Sequence, residues 1–168
     1  MKLRALVVED DPKIIHLIAE AMVSMGHDYD IVSSQEEAVT RMSENDYSYI
    51  LLDLGIPVSA QAGTPRIQNT ENLLERICEM KDKLLPPIII MSDHEVAGLK
   101  ATIDIMRLAM SLSRKGAIDI IAKPFPTAGR TIDRVIKKVL RITAGRCRRE
   151  LESRLQPPTT TKQSSDEA

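Results

Sequence analysis

Short apolar segments alternate along this chain with longer segments whose apolar residues recur at helical spacing. The short segments are rich in isoleucine, valine and leucine, the composition of strands buried on both faces. There are five of them: Leu3–Val8, Tyr29–Val32, Tyr49–Leu52, Ile88–Met91 and Ile118–Ala122. Strands that alternate with helices form a parallel sheet covered by those helices. We therefore expect an α/β fold with a doubly wound, five-stranded parallel sheet in the common order 2-1-3-4-5 and helices on both faces.

Length and local signals predict how the chain is divided. A chain of 168 residues suits one domain with a short addition. The alternating pattern occupies residues 1–140, and a helical extension occupies residues 141–155, with Gly145 as a candidate break in the last helix. Residues 156–168 are polar and contain a Pro-Pro pair and a Thr/Ser tract, so we expect a disordered tail.

Several polar residues and one glycine mark expected helix ends. Asp11 precedes a proline at the first helical position, which predicts an N-cap, and Gly26 is placed to end the same helix. Ser34 begins a capping-box pattern for the second helix. Asn69 or Thr70 is the expected N-cap of the third helix.

Charge and cysteine usage limit the class of protein. The 23 basic and 24 acidic residues nearly cancel, so the whole chain gives no electrostatic sign of a nucleic-acid partner. Cys78 and Cys147 lack metal-ligand spacing, and two free thiols in a reducing compartment are the simpler interpretation. No apolar run approaches membrane-spanning length and the N-terminus lacks a signal-peptide pattern. We expect a cytoplasmic protein with no membrane partner.

Polar side chains stand where four of the five predicted strands end. The acidic run Glu9–Asp11 follows the first strand, Asp53 the third, Ser92 the fourth and Lys123 the fifth. In an open α/β sheet these ends share one edge, where such folds bind ligands. Carboxylates about 4 Å apart repel by roughly 4 kcal/mol at an effective dielectric near 20, so the cluster needs a counter-charge.

A magnesium ion and a phosphoryl group fit this set of residues. Mg²⁺ binds one or two carboxylates together with water and phosphate oxygens. Lys123 adds a fixed positive charge and Ser92 a hydroxyl for a phosphoryl oxygen. Asp53 is then the candidate nucleophile, forming an aspartyl phosphate. Each residue alone has a simpler interpretation as a helix cap, a turn residue or a strand exit, and for Asp11 the cap is preferred. Their convergence favours the site.

Four motifs resemble those of response-regulator receiver domains. They are Val7–Pro12, Leu51–Pro57, Ile89–Ser92 and Ala122–Phe125, and the resemblance covers roughly Lys2 to Leu140. It implies a single-domain, flavodoxin-like receiver, similar to the chemotaxis regulator, that belongs to a two-component phosphorelay. Such a protein is charged by a histidine kinase or a phosphotransfer protein. It is a regulatory phosphoacceptor rather than an enzyme, and at most autocatalyses its own phosphorylation and dephosphorylation.

The resemblance also implies roles for individual residues. Glu9 and Asp10 correspond to the acidic pair, with Asp10 a direct Mg²⁺ ligand. Asp53 corresponds to the phosphoacceptor and a metal ligand, and Gly55 to the residue whose backbone carbonyl binds Mg²⁺. Two further matches supply phosphoryl contacts: Ser92 corresponds to the switch hydroxyl and Lys123 to the phosphoryl-binding lysine.

Two positions depart from the family pattern, and a third is a position that in the family tunes attack by water. Ile120 stands where the family usually has the aromatic switch residue. Asp93 replaces a small residue after the switch hydroxyl, and its carboxylate could repel a phosphoryl group or rearrange the metal site. His94 lies where the family tunes attack by water. The alternative hypothesis is therefore a pseudo-receiver, a binding module that works without phosphorylation.

Output is expected through protein contacts. In the family, the face formed by helix 4, strand 5 and helix 5 reads out phosphorylation, and here it is expected to bind a downstream protein or a second copy. The last helix is basic, but it lacks a helix-turn-helix or a stacking platform, so we do not expect nucleic-acid binding. Its basic residues are Arg130, Arg134, Lys137, Lys138, Arg141, Arg146, Arg148, Arg149 and Arg154.

Overall fold

The structure, a computed structural model, describes residues 2–59, 67–80, 85–92, 109–123, 125 and 128–155. Its sheet contains five strands: β1 (Arg4–Val8), β2 (Asp28–Val32), β3 (Tyr49–Asp53), β4 (Ile88–Ser92) and β5 (Ala117–Ala122). All neighbouring strands are parallel, in the order β2-β1-β3-β4-β5. The strand order predicted from the sequence is confirmed.

Helices cover both faces of the sheet, as expected. They are α1 (Pro12–Met25), α2 (Gln35–Glu44), α3 (Ile67–Glu79), the helical residues 109–114, here α4, and α5 (Ala128–Leu155). Within the described parts of the chain, no helix is both long and apolar enough to cross a membrane. The sequence predicts a fourth helix over residues 95–113, of which residues 95–108 lie outside the described residues, as does the tail at 156–168.

Alternate residues of each central strand supply two separate cores. In β1, Leu6 and Val8 join the core that includes side chains of α2 and α3, while Ala5 and Val7 join the one shared with α1 and α5. This two-residue period follows from the pleat of a strand. Aliphatic side chains and methionines dominate both cores, and Phe125, the only phenylalanine, is buried. Burial on both faces fixes the register of the sheet.

The register brings the carboxyl ends of the strands to one edge. Val8 lies opposite Leu52, Asp53 opposite Met91, and Ser92 opposite Ala122. The residues that follow β1, β3 and β5 therefore emerge at the same side of the sheet.

Both predicted ends of α1 and the predicted start of α2 are confirmed. Asp11 is the N-cap of α1 and accepts a hydrogen bond from the backbone N–H of Lys13 at 2.8 Å, and Gly26 ends the helix at φ +70°. Ser34 caps α2 by accepting from the N–H of Glu37 at 3.3 Å.

Two expectations about the helices need correction. Asn69 and Thr70 are not N-caps: α3 begins at Ile67, so both lie inside its first turn and are buried. The candidate break at Gly145 is also wrong, because α5 continues through it to Leu155. A single glycine inside a helix weakens the helix without ending it.

Candidate functional site

Three carboxylates meet at the carboxyl edge of the sheet. Glu9 follows β1 and is fully buried, Asp10 is exposed, and Asp53 ends β3 with 7% of its surface exposed. One oxygen from each carboxylate lies within 4.8 Å of the others. Topology alone therefore assembles an acidic cluster from two sequence segments more than forty residues apart.

Lys123 supplies the positive charge inside this cluster. Its Nζ donates to Asp53 Oδ1 at 2.7 Å and to Glu9 Oε2 at 3.0 Å, and its side chain is 6% exposed. The backbone N–H of Lys123 also donates to the carbonyl of Ser92 at 2.6 Å. The lysine is thus fixed to the end of β4 and directed at two carboxylates from other strands.

The electrostatics show an excess of negative charge. Burial, followed by the charge of Asp53, raises the pKa of Glu9 to about 7. Burial is also the main cause that raises the pKa of Asp10. Burial alone would lower the pKa of Lys123, but its hydrogen bonds and attraction to Asp53 and Glu9 outweigh this and raise it. Among the described residues, three carboxylates beside one ammonium leave a formal charge of −2 when all are ionised, which a divalent cation would balance.

The turn after Asp53 is held by hydrogen bonds from several elements. The Gly55 N–H donates to Asp53 Oδ2 at 3.1 Å. The Thr70 hydroxyl donates to the Asp53 carbonyl at 2.9 Å, and Asn69 Nδ2 donates to the carbonyl of Ile56 at 2.8 Å. These contacts orient both the carboxylate and the backbone of the turn.

The N-terminus of α2 holds the next residues of the same turn. The N–H groups of Gln35 and Glu36 donate to the carbonyls of Pro57 and Val58, each at 3.1 Å. The first N–H groups of a helix have no partner within it, so these bonds satisfy donors that α2 leaves free. The Gln35 side chain, buried, donates from Nε2 to the Asn69 carbonyl. The residues that follow β3, as far as Val58, are thus held between α2 and α3.

The donor set suits magnesium. Carboxylate and carbonyl oxygens are the ligands that Mg²⁺ prefers. Asp10 and Asp53 provide the carboxylates. Gly55, in the turn fixed to Asp53, provides a backbone carbonyl two residues after it. Both oxygens of Glu9 already accept hydrogen bonds, from the Asp11 N–H at 3.2 Å and from Lys123 at 3.0 Å.

Of the remaining predicted site residues, two are described by the structure and two are not. Ser92 ends β4 at the same edge of the sheet and is partly buried. Ile120 lies on β5 and is 41% exposed. Asp93 and His94 lie outside the described residues. The contacts that Gln35, Asn69 and Thr70 make around the turn after β3 have no clear signal in the sequence, because a Thr or Asn before an apolar helix is an ordinary capping signal.

Comparisons with known proteins agree with the motifs. No family model matches the chain. Over 54 residues it is 41% identical to the transcriptional regulatory protein TcrA of Mycobacterium tuberculosis, a match that covers 32% of this chain and 21% of TcrA. The chain therefore spans about a fifth of the length of that curated relative.

Solved structures match over most of the chain. NtrX from Brucella abortus aligns with a TM-score of 0.66 at 24% identity, covering 91% of this chain and 29% of NtrX. A CheY-like receiver domain protein from Methanospirillum hungatei aligns at 0.65 with 18% identity, covering 87% and 99% respectively. The chemotaxis response regulator CheY4 of Vibrio cholerae aligns at 0.62 with 17% identity, covering 80% and 99%. The chain has the fold of response-regulator receiver domains, the family that its motifs resemble.

Proposed function

We propose that this chain is a phosphoacceptor receiver of a two-component phosphorelay, in which Asp53 takes a phosphoryl group from a histidine kinase or a phosphotransfer protein in the presence of Mg²⁺. The observation that carries the proposal is the ammonium of Lys123, which lies among three carboxylates and 2.7 Å from Asp53 in the described part of the chain. The three carboxylates carry more negative charge than Lys123 neutralises, so they can bind a divalent cation. The Lys123 ammonium is a fixed positive charge for the incoming phosphoryl oxygens.

The chemistry is a transfer between two nucleophiles. A carboxylate oxygen of Asp53 attacks phosphorus, an O–P bond forms, and the bond from phosphorus to the donor breaks with its electron pair leaving on the donor. Lys123 stays within hydrogen-bonding distance of the carboxylate and neutralises charge on the equatorial oxygens. In this proposal the Ser92 hydroxyl donates a hydrogen bond to one of those oxygens.

The metal has a defined place in the proposal. Asp10, Asp53 and the Gly55 carbonyl would hold Mg²⁺, with Glu9 adding charge beside them. When bound, Mg²⁺ neutralises charge on the phosphoryl group and orients it. Asp93 and His94, which follow Ser92, are the residues proposed to modulate transfer and hydrolysis.

Output is proposed to occur by protein contact, which makes the chain a regulator rather than an enzyme. Two apolar side chains of α4 and β5 are exposed, Met110 at 58% and Ile120 at 41%. With α5 they form the face proposed to bind a downstream protein or a second copy in a phosphorylation-dependent way. Since Ile120 cannot act as an aromatic switch, packing of aliphatic side chains would carry the change.

The proposal predicts a metal-dependent phosphoryl adduct on Asp53. The protein is incubated with acetyl phosphate and Mg²⁺, and intact mass is measured with and without EDTA. Wild type should gain the mass of one phosphoryl group only with Mg²⁺, and Asp53→Asn should gain none. Asp11→Asn is the matched control, because it removes a neighbouring carboxylate while asparagine caps α1 equally well.

Two outcomes would contradict the proposal in different ways. An equal mass gain in Asp53→Asn would place the acceptor elsewhere. No gain in wild type, either with acetyl phosphate or with phosphorylated histidine donors, would favour the pseudo-receiver hypothesis, in which the fold binds partners without phosphorylation.

A further inference from the structure

Three polar side chains of α2 and α3, near the residues that follow β3, are buried without any part in the proposed chemistry. Thr70 is fully buried, and Gln35 and Asn69 are 3% and 9% exposed. Burying a polar group costs free energy unless it is hydrogen-bonded, and no buried polar side-chain atom of the described residues lacks a partner. All three donate to main-chain carbonyls within or beside the loop that follows β3.

We propose that Thr70 is a positioning residue for the phosphoacceptor, acting through the peptide unit between Asp53 and Leu54. This inference rests on the proposed function, because it assigns to Thr70 the orientation of the Asp53 carboxylate and the Gly55 carbonyl toward the metal.

The peptide unit is held at both of its polar groups. Its C=O, from Asp53, accepts from the Thr70 hydroxyl at 2.9 Å. Its N–H, from Leu54, donates to the Met91 carbonyl of β4 at 2.9 Å. One contact comes from α3 and the other from the neighbouring strand. Rotation of this peptide would break both bonds, so α3 and β4 together fix its plane.

The carboxylate follows the orientation of this peptide. The Gly55 N–H, one peptide further along, donates to Asp53 Oδ2 at 3.1 Å and closes a short turn from side chain to backbone. Lys123 holds the other oxygen, Oδ1, at 2.7 Å. A shift of the turn would therefore change both the side-chain hydrogen bond and the direction of the Gly55 carbonyl.

Asn69 and Gln35 support the same first turn of α3. Asn69 donates to the Ile56 carbonyl at 2.8 Å, two residues beyond Leu54. Gln35 donates to the Asn69 carbonyl and so ties α3 to α2. These bonds tie the first turn of α3 both to α2 and to the residues after β3, and so hold the Thr70 hydroxyl beside the Asp53 carbonyl.

Isosteric replacement tests the hydroxyl separately from packing. Thr70→Val keeps the shape and leaves the Asp53 carbonyl buried without a donor, whereas Thr70→Ser keeps the donor. Thr143→Val is the matched control, since the Thr143 hydroxyl also donates to a main-chain carbonyl, that of Val139 at 3.0 Å, but in α5. Mg²⁺ dissociation constants are measured by calorimetry, and initial phosphoryl uptake from acetyl phosphate is measured at saturating Mg²⁺.

The expected pattern is specific to the hydroxyl. Thr70→Val should bind Mg²⁺ about tenfold more weakly, the size of effect typical of groups that orient metal ligands, and should take up phosphoryl more slowly. Thr70→Ser and Thr143→Val should stay within about twofold of wild type. Thr70→Ala, which relieves any packing strain of valine, is measured beside Thr70→Val and should show the same direction.

The result that overturns the inference is a folded Thr70→Val or Thr70→Ala protein with wild-type Mg²⁺ affinity and uptake rate. A loss of affinity in Thr70→Ser equal to that in Thr70→Val would overturn it as well, because packing would then be the cause. If wild type binds Mg²⁺ but takes up no phosphoryl group, the proposed function fails while the affinity comparison still decides the role of Thr70.

Discussion

Glu9 is the carboxylate whose chemistry is most altered by its surroundings. It is fully buried, and its two oxygens accept from the Asp11 N–H and from Lys123. Asp10, the next residue, is exposed. Adjacent positions thus differ in their surroundings: the Glu9 carboxylate is buried among hydrogen-bond donors, whereas Asp10 is exposed at the edge of the sheet.

The raised pKa of Glu9 predicts a pH-dependent stability in the metal-free protein. Its pKa is about 7 in the folded state against 4.5 ordinarily, so the folded state binds more protons between these values. Stability must then fall as pH rises through this window. Glu9→Gln, which cannot ionise, should be more stable than wild type at pH 8 by about 3 kcal/mol and close to it near pH 4.5.

Urea unfolding in EDTA at several pH values measures this difference. Glu36→Gln is measured beside it as the control for deleting one acidic group, because Glu36 is exposed on α2. A Glu9→Gln difference that is constant from pH 4.5 to 8 would show that burial of the charge is not its origin.

At the scale of elements, two glycines have opposite roles in their helices. Gly26 ends α1 at φ +70°, whereas Gly145 lies inside the continuous α5. A Cβ added at either position meets no atom within 4 Å, so only backbone preference differs. Left-handed backbone is unfavourable for residues with a Cβ, and alanine favours a helix interior.

Alanine substitution should therefore shift stability in opposite directions. Gly26→Ala should lower the free energy of unfolding by about 1 kcal/mol. Gly145→Ala should raise it by about 1 kcal/mol where the unfolding of α5 is part of the measured transition. Thermal and chemical denaturation of both variants against wild type measure the shifts. Stabilisation by Gly26→Ala would show that the end of α1 tolerates another conformation.

The elements also show what local sequence can predict. Asp11 and Gly26 act on groups within four residues, so their pattern alone identified the ends of α1. Thr70 carries the same kind of local signal, but its partner is the carbonyl of Asp53, 17 residues away. The convergence of Asp53 with Lys123 was predictable because strand order determines it. The burial of Glu9 and the hydrogen bonds from α2 and α3 to the residues after β3 depend on packing, which only the folded chain specifies.

Because the site carries excess negative charge, metal binding is expected to stabilise the folded state of the whole molecule. An ion that binds only the folded state raises its stability, by about 2.7 kcal/mol at 100 times the dissociation constant. The melting temperature of wild type should therefore rise with Mg²⁺ concentration, even without a phosphoryl donor. Asp10→Asn should remove most of the rise, since it deletes the exposed carboxylate of the cluster.

Differential scanning fluorimetry or calorimetry measures this linkage, with NaCl at matched ionic strength as the control for screening. An equal rise in Asp10→Asn would place the metal away from this edge of the sheet. A rise that NaCl reproduces would assign the effect to general screening of the cluster.

The residues that Lys123 contacts are made much earlier than Lys123 itself during synthesis of the chain. The lysine lies 114 residues after Glu9 and 70 residues after Asp53. A ribosome therefore completes the acidic residues long before it makes their ammonium partner. Until β5 and Lys123 have been made and β5 has joined β4, the growing chain carries Asp53 without the lysine beside it. Under the proposed function, a chain that ends before Lys123 should therefore not accept a phosphoryl group.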